Sequence, residues 1–325
     1  MKTILISGGA GYLGTALSQK LLKKNKVIIY DQLYFPWIYK NRNKIKHWNR
    51  LTFFKKNISQ VRIEDFKNVD IVCDLNGISN DPSSEINSSH TWKVNYNYRL
   101  KFAKLAKMSN VKRYIFNSTC SVYGFNKNKV YENGKKKPIS TYAKANLKAE
   151  SEIFSLKNKS FKVNALRNST LFGFSNTMRL DLVINIFVFN LIKKKQIYID
   201  GDGKQFRPFI SVTDILKIYD QIINTTNMKS FICNLVSFNA MISDIALDIC
   251  RILKVDKKLI SFKGNFVDKR NYKVGSKIFK KHFGKNFKFS NFDTEVKNLG
   301  KNMEKFKIKK NINTIRMQFY KKNLI

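Results

Sequence analysis

The sequence predicts a doubly wound α/β fold, a parallel sheet covered by helices, with a smaller α/β lobe toward the C-terminus. Three observations predict it. Short apolar runs alternate with helix-periodic segments from the first residue, a glycine-rich turn follows the first run, and an acidic residue ends the second. Thr3 to Ser7 reads as a buried strand, followed by the glycine turn and a helix through about Leu22. Val27 to Tyr30 is a second apolar run ending at Asp31, and Val69 to Leu75, Val111 to Ser118 and Phe161 to Leu166 are three more. Helical patterns at Trp92 to Met108 and Tyr142 to Phe154 lie between several of them. Past about residue 170 the pattern loosens. Phe206 to Ile210 reads as a short strand leading into a helix over Ser211 to Asn224. Asp244 to Leu253 reads as another helix, with Ser243 available as its cap. The expected division is a large domain over 1–170, joined by a returning segment near 206–232, and a lobe over 171–325.

At 325 residues, 43% of them hydrophobic, the chain can bury a substantial core. Its four cysteines, Cys73, Cys120, Cys233 and Cys250, form no CxxC pair and have no histidine at ligand spacing. That argues against zinc and against a disulfide scaffold, so no metal is expected, and it suits a reducing, cytoplasmic setting. The first apolar stretch is broken by glycines after a few residues, too short for a secretory signal. The longest apolar run, Leu182 to Ile192, contains Asn185 and Asn190 and falls well short of the ~20 residues that cross a bilayer. A buried helix is expected there, and no membrane partner.

Charge is the outlying feature, at +40 with a pI near 10.1. Such a value could mark a nucleic-acid binder. The basic residues are mostly lysines, however, single or in short runs such as Lys135 to Lys137 and Lys193 to Lys195, and none sits in a nucleic-acid motif. A compositional bias spread over the chain is the simpler reading, and no nucleic-acid partner is expected. A positive field would still draw in anionic substrates.

The segment SGGAGYLG places Gly8, Gly11 and Gly14 in GxxGxxG spacing directly after the first strand. Glycines there permit a tight turn, clear space for a pyrophosphate and let the helix pack close to the sheet. The helix N-terminus then offers free N–H groups to the phosphates. Asp31 is placed to accept hydrogen bonds from an adenosine ribose and to repel a 2′-phosphate, which favours NAD over NADP. The large domain is therefore read as an NAD-binding domain with a Rossmann-type, doubly wound parallel sheet, and the smaller α/β C-terminal lobe as the substrate lobe.

At this point the sequence resembles the NAD-dependent epimerase/dehydratase family, the extended short-chain dehydrogenases. The blocks that carry the resemblance run in order through DIVCDLNG (Asp70 to Gly77), KVN (Lys93 to Asn95), KRYIFNSTCSVYG (Lys112 to Gly124) and TYAKAN (Thr141 to Asn146). LRNSTLFG (Leu166 to Gly173), MRLD (Met178 to Asp181) and GDGKQFRPFISVTDI (Gly201 to Ile215) follow. The resemblance implies that Thr119, Tyr142 and Asn146 form the catalytic set, the tyrosine as proton acceptor and donor, the threonine as the group that orients the same substrate oxygen, and Asn146 at the place of the family's lysine. It implies a cofactor site from Gly8, Gly11, Tyr12, Leu13 and Gly14, from Asp31 and Gln32, and from Asn57 and Ile58. Leu75, Asn76, Gly77, Asn95 and Ser118 belong to the same implied site, together with Tyr142 and Asn146. Ser121, Asn168, Arg179, Asp181, Asn185, Arg207 and Arg270 are the implied contacts to a nucleotide-diphosphate sugar, the arginines because their donor forks suit phosphate oxygens. Family members are often homodimers through paired helices, here Trp92 to Met108 and Tyr142 to Phe154.

Three departures qualify the resemblance. The family pattern YxxxK ends here in Asn146, which can bond ribose hydroxyls but brings no positive charge to lower the tyrosine pKa. Lys144 and Lys148 lie about 200° around the helix from it and do not replace it. In addition, the Asp-Glu pair that follows the threonine in sugar 4,6-dehydratases is replaced by Cys120 and Ser121. Asn57-Ile58 also stands where the resemblance usually shows Asp-Ile. The expected activity is epimerisation or dehydrogenation at a sugar carbon, carbon 4, in a polysaccharide pathway. A catalytically silent NAD-binding protein is the alternative that Asn146 raises, and a nucleic-acid binder the remote one that charge raises.

Overall fold

The computed structural model describes residues 1–264, 270–284 and 286–323. The strands are β1 (Thr3–Ser7), β2 (Lys26–Asp31), β3 (Leu51–Lys55), β4 (Ile71–Asp74), β5 (Arg113–Thr119) and β6 (Lys162–Asn168), then β7 (Thr170–Phe172), β8 (Ile197–Asp200), β9 (Phe206–Ser211), β10 (Phe231–Leu235), β11 (Phe238–Met241) and β12 (Ile260–Lys263). Seven of them form one parallel sheet in the order β10-β6-β5-β4-β1-β2-β3. The chain reverses direction across the sheet between β1 and β4. In such sheets that switch point opens a crevice at the carboxyl ends of the strands.

The apolar runs behave as a sheet covered on both sides requires. Ile4 and Ile6 of β1 enter one core cluster with Leu13, Leu17, Ile218 and Ile222, while Leu5 enters the other with Phe102, Phe116 and Ile153. Alternate side chains therefore feed helices Tyr12–Leu21 and Val212–Asn224 on one face, and Arg99–Met108 and Thr141–Ser155 on the other. The first cluster continues through Phe209 and Ile245 to Met303, so the C-terminal half shares a core with the sheet. Among the described residues, no helix is long and apolar enough to cross a membrane; Val183–Leu191, in the longest apolar run, is a buried helix.

Several expectations need correction. β3 was not anticipated: it is an edge strand with Thr52 and Lys55 exposed, so its apolar signal is diluted. The segment that returns to the large sheet is β10, whereas Phe206–Ser211 pairs with β7 and β11 in a separate three-stranded sheet. Ser243 does not cap its helix. Met241 is the N-cap residue of Ile242–Leu253, and the Ser243 amide donates instead to the Gly203 carbonyl. Trp92 to Met108 is not a uniform helix either; a π-helical turn at Lys93–Tyr98 joins Ser88–Trp92 to Arg99–Met108. Such turns shift the register of the side chains that follow.

Beneath the switch point lies a fully buried ion pair. Arg99 Nε donates to Asp74 Oδ2 at 2.8 Å, with the two residues 1% and 0% exposed. Asp74 also accepts from Ser7 Oγ (2.7 Å) and Tyr114 OH (2.9 Å). Arg99 Nη2 reaches the Asn117 carbonyl (3.0 Å), Nη1 reaches Asn146 Oδ1 (2.9 Å), and the guanidinium lies 4.0 Å from the centre of the Phe116 ring. One arginine thus ties β4, β5 and helix Thr141–Ser155 together. Removing one partner of a buried pair strands the other charge. Arg99→Met should therefore lose roughly 3–5 kcal/mol in urea unfolding. The Asp74→Asn/Arg99→Met double variant should lose less than the sum of the single changes. Additive losses would show that the two groups do not act as a pair.

Candidate active site

The cleft of about 690 Å³ at the carboxyl ends of β1, β2, β4, β5 and β6 is where the chemistry-bearing residues gather. At its floor, the glycine turn is a cradle that side chains would fill. A Cβ on Gly14 would stand 2.3 Å from the Gly8 carbonyl oxygen, and one on Gly8, whose φ is +71°, would stand 2.9 Å from the Leu75 backbone. Helix Tyr12–Leu21 starts from Gly11 with no side-chain cap, which leaves its first N–H groups open to the cleft for an anion. Gly8, Gly11, Tyr12, Leu13 and Gly14 all line this space, as do Asp31, Gln32 and Ile58. Asp31 accepts from the amides of Ala10 (3.1 Å) and Leu33 (2.7 Å), and burial raises its carboxyl above the ordinary value. These features fit a dinucleotide: a side-chain-free turn, an open helix start and a carboxylate at the end of β2. The turn and helix would hold its phosphates and Asp31 its adenosine ribose.

Leu75, Asn76 and Gly77 form the adjoining wall, followed by Ser118 and Thr119 at the end of β5 and Asn168 at the end of β6. Ser118 Oγ donates to Glu150 Oε2 (2.7 Å), a carboxylate held by the buried Arg167 at 2.6 Å. Thr119 Oγ1 accepts from the Ser121 amide (3.1 Å) and stands near enough to the Tyr142 phenol to draw its pKa down. Tyr142 sits in the first turn of helix Thr141–Ser155, which Ser140 caps through the Ala143 amide (3.1 Å). Burial raises the Tyr142 phenol above its ordinary value. Nearby Thr119 and the charges of Arg99 and Arg179 pull it down, while Asp81 pushes it up.

The end of the cleft away from the glycine turn is built from arginines and carboxylates. Arg179 clamps Asp181 through Nε and Nη2, both at 3.0 Å, and its Nη1 donates to Ser79 Oγ (2.9 Å). Arg207 donates to the carbonyls of Phe206 and Arg270, and Arg270 Nη1 pairs with Asp81 Oδ2 at 2.8 Å. Arg179, Asp181, Arg207, Arg270 and Ser121 all line the cleft.

Four residues expected in the site lie outside its lining, each for a visible reason. The Asn57 side chain caps the short turn Ile58–Gln60 by accepting from the Ser59 amide (2.9 Å). Asn95, turned inward on the π-helical segment, accepts from the Ile78 amide (2.8 Å) and donates to the Ile78 carbonyl (3.0 Å). It holds the turn after Gly77 from behind. Asn185 is fully buried behind Tyr12, whose hydroxyl it contacts at 3.1 Å, and it also bonds the Gly173 amide and the Arg179 carbonyl. Asn146 is 1% exposed, and its amide is used inside the protein: Oδ1 accepts from Arg99 and Nδ2 donates to the Tyr142 carbonyl (2.8 Å). It does not face the cleft as a ribose contact would. Cys120 is likewise withdrawn. Its thiol donates to the Arg167 carbonyl (3.1 Å), and burial pushes its pKa up.

Sequence reasoning missed Asp81, Tyr272, Arg316 and Tyr320, which line the cleft, and Arg99, which lies behind it. Asp81 had a local signal: Asn80 caps the short helix Asp81–Ser84 through the Ser83 amide, with a proline in its first turn. The other four had none, because each is brought in by a distant part of the chain.

Comparison with known proteins agrees with this geometry. The model of the NAD dependent epimerase/dehydratase family matches residues 4–233. A Bacillus subtilis protein named as an uncharacterized UDP-glucose epimerase, YtcB, is 29% identical over 224 residues, 66% of this chain and 70% of its own. A putative UDP-glucose 4-epimerase of Methanocaldococcus jannaschii is 28% identical over 233 residues, 69% of this chain and 74% of its own. Among solved structures, the UDP-N-acetylglucosamine 4-epimerase of Methanobrevibacter ruminantium, in complex with UDP-N-acetylmuramic acid, superposes with a TM-score of 0.83. It is 24% identical, and the match covers 94% of this chain and 98% of that one. The UDP-glucuronic acid 4-epimerase of Bacillus cereus, in complex with UDP-glucuronic acid and NAD, gives a TM-score of 0.81 at 21% identity, covering 93% and 99%. These likenesses establish the fold. With the family model spanning β1 to β10 and the glycine cradle in place, the chain belongs to the NAD dependent epimerase/dehydratase family, and its cofactor is NAD.

Proposed function

We propose that the protein is an NAD-dependent nucleotide-sugar epimerase or dehydrogenase that acts on a hydroxyl of the sugar, at carbon 4. The observation that carries this reading is that Tyr142 and Thr119 line one cleft, which begins at the glycine cradle and ends at Arg207 and Arg270. The UDP-glucose and UDP-sugar names of the relatives support the same substrate class. A cytoplasmic homodimer paired through helices Arg99–Met108 and Thr141–Ser155, serving polysaccharide synthesis, is the setting we infer with it.

When bound, NAD supplies the hydride acceptor and donor at the sugar carbon. The chain's own residues handle the proton and the orientation. Tyr142 takes the proton from the sugar hydroxyl and returns it, and Thr119 holds the same oxygen and stabilises the phenolate by hydrogen bonding. Arg99 stands in for the absent lysine: its guanidinium reaches position 146 from the neighbouring helix and draws the Tyr142 phenol down. Arg207 and Arg270 face the diphosphate of the sugar nucleotide. Elimination of water is disfavoured, because Cys120 is buried against a carbonyl and Ser121 carries no carboxyl group.

Incubation with NAD and a panel of nucleotide sugars, followed by NADH absorbance and product stereochemistry, tests the proposal. Tyr142→Phe should lower kcat by about 100-fold or more. A chain that binds NAD but turns over no nucleotide sugar would instead be a silent binder. Turnover should rise with pH, because the phenolate is the active form and burial holds the phenol above its usual value. Thr119→Val removes a hydroxyl that draws the phenol down, so it should move the rising limb to higher pH; an unmoved limb would detach Thr119 from the tyrosine. Asn146→Lys alone should destabilise the protein by roughly 3 kcal/mol, because its ammonium would meet Arg99 in a buried place. Arg99→Met/Asn146→Lys should unfold at higher urea than either single variant. A double variant no better than the singles would mean that the two cations do not compete for one place.

A further inference from the structure

The C-terminal segment, basic and weakly patterned in sequence, folds over the cofactor end of the cleft. Helix Arg316–Asn323 brings Arg316, Met317 and Tyr320 to the cleft lining. Its Phe319 packs against Phe35 (4.7 Å between ring centroids) and Tyr34 (5.5 Å), in the loop that follows Asp31. On its other side the helix meets the segment after β4, where Ile78 joins Phe319 and Tyr320 in one apolar cluster. The helix therefore bridges the loops after β2 and β4, on either side of β1 and its glycine turn.

Arg316 is the anomaly in this cover. It is 3% exposed, and its guanidinium carbon lies 3.4 Å from the centre of the Phe35 ring. One of its terminal nitrogens, Nη1, donates to the Asn313 carbonyl; the other, Nη2, is buried without a hydrogen-bond partner. The nearby carboxylates are already committed. Asp31 accepts from the Ala10 and Leu33 amides, and Asp181 from Arg179 and Asn80. Burial, and after it the charge of nearby Arg179, lowers the Arg316 pKa to about 10. Two neighbouring guanidinium groups, one with an unused buried donor, in the same cleft as an open helix N-terminus, form a lining suited to an anion.

We propose that Arg316 is a cofactor-binding residue whose guanidinium grips the diphosphate of NAD, so that the C-terminal helix straps the dinucleotide against the glycine turn. The diphosphate of the sugar nucleotide is the other source of the same chemistry. Stacking on Phe35, four residues beyond Asp31, places Arg316 at the dinucleotide end, while Arg207 and Arg270 serve the far end. The inference rests on NAD being the cofactor and is independent of which sugar is turned over.

Binding of NAD, ADP-ribose, adenosine and UDP to the full chain, by calorimetry with competition for the weak ligands, tests it without requiring turnover. Arg316→Gln should weaken NAD and ADP-ribose by about tenfold or more, leave adenosine and UDP within about twofold, and reduce the salt dependence of NAD binding. Arg316→Lys should fall between, keeping the charge but losing the fork. The ligand-free Arg316→Gln protein should melt no lower than wild type, since the change removes a buried charge with an unmatched donor. Equal losses for adenosine would reduce the residue to a packing role, and a loss confined to UDP would assign it to the sugar nucleotide. Unchanged ADP-ribose affinity would also overturn the proposal.

Discussion

The buried pair between Arg99 and Asp74 is the constraint on which the rest of the site depends. Asp74 ends β4, next to the point where the sheet reverses its winding, and Arg99 opens the helix behind it. A carboxylate in that position is tolerable when its oxygens are satisfied, and Ser7, Tyr114 and Arg99 satisfy them. The same guanidinium then extends to the Asn117 carbonyl and to Asn146, so β4, β5 and the tyrosine-bearing helix share one rigid anchor. Tyr142 and the wall formed by Leu75 to Gly77 are held relative to each other through it.

This arrangement gives a physical reason for asparagine at position 146. The pair is oriented, with Asp74 at the sheet end and Arg99 Nη1 toward the tyrosine helix, so its positive end faces the site. A lysine on that helix would bring a second cation into the same dry space. Asparagine instead offers Oδ1 to the guanidinium and Nδ2 to the Tyr142 carbonyl, satisfying both without charge. Where the linear motif has a lysine, the structure places the Arg99 guanidinium of a neighbouring helix against Asn146. The two interpretations differ because a motif counts residues along one helix, whereas the field at a phenol sums over every element packed around it.

The parts of the site that were legible in the sequence are those whose geometry is set within a few residues. Gly8, Gly11 and Gly14 announce the cradle because a turn and a close helix approach need missing side chains. Asp31, Thr119 and Tyr142 lie at strand ends or a helix start beside recognisable blocks. Asn57, Asn95, Asn146 and Asn185 stood at equally recognisable places, yet none lines the cleft. An asparagine side chain both donates and accepts, so the nearest unsatisfied backbone group can claim it, and here a cap, the Ile78 peptide, the Tyr142 carbonyl and the Gly173 amide did so. Which use prevails depends on orientation, and orientation is not written in the spacing.

By itself, then, the sequence determined the class of fold and the identity of the cofactor, because apolar periodicity and glycine spacing act over short stretches of chain; the tyrosine and threonine came from motif blocks that resemble the family's. Tertiary structure alone decided where the positive charge near Tyr142 comes from, which polar side chains reach the cleft and what covers it. Arg99 and Asn146 are 47 residues apart, and Arg316 comes from the far end of the chain to the loop after β2. Electrostatic and steric interactions depend on distance through space, and separation along the chain carries no record of it until the core has packed.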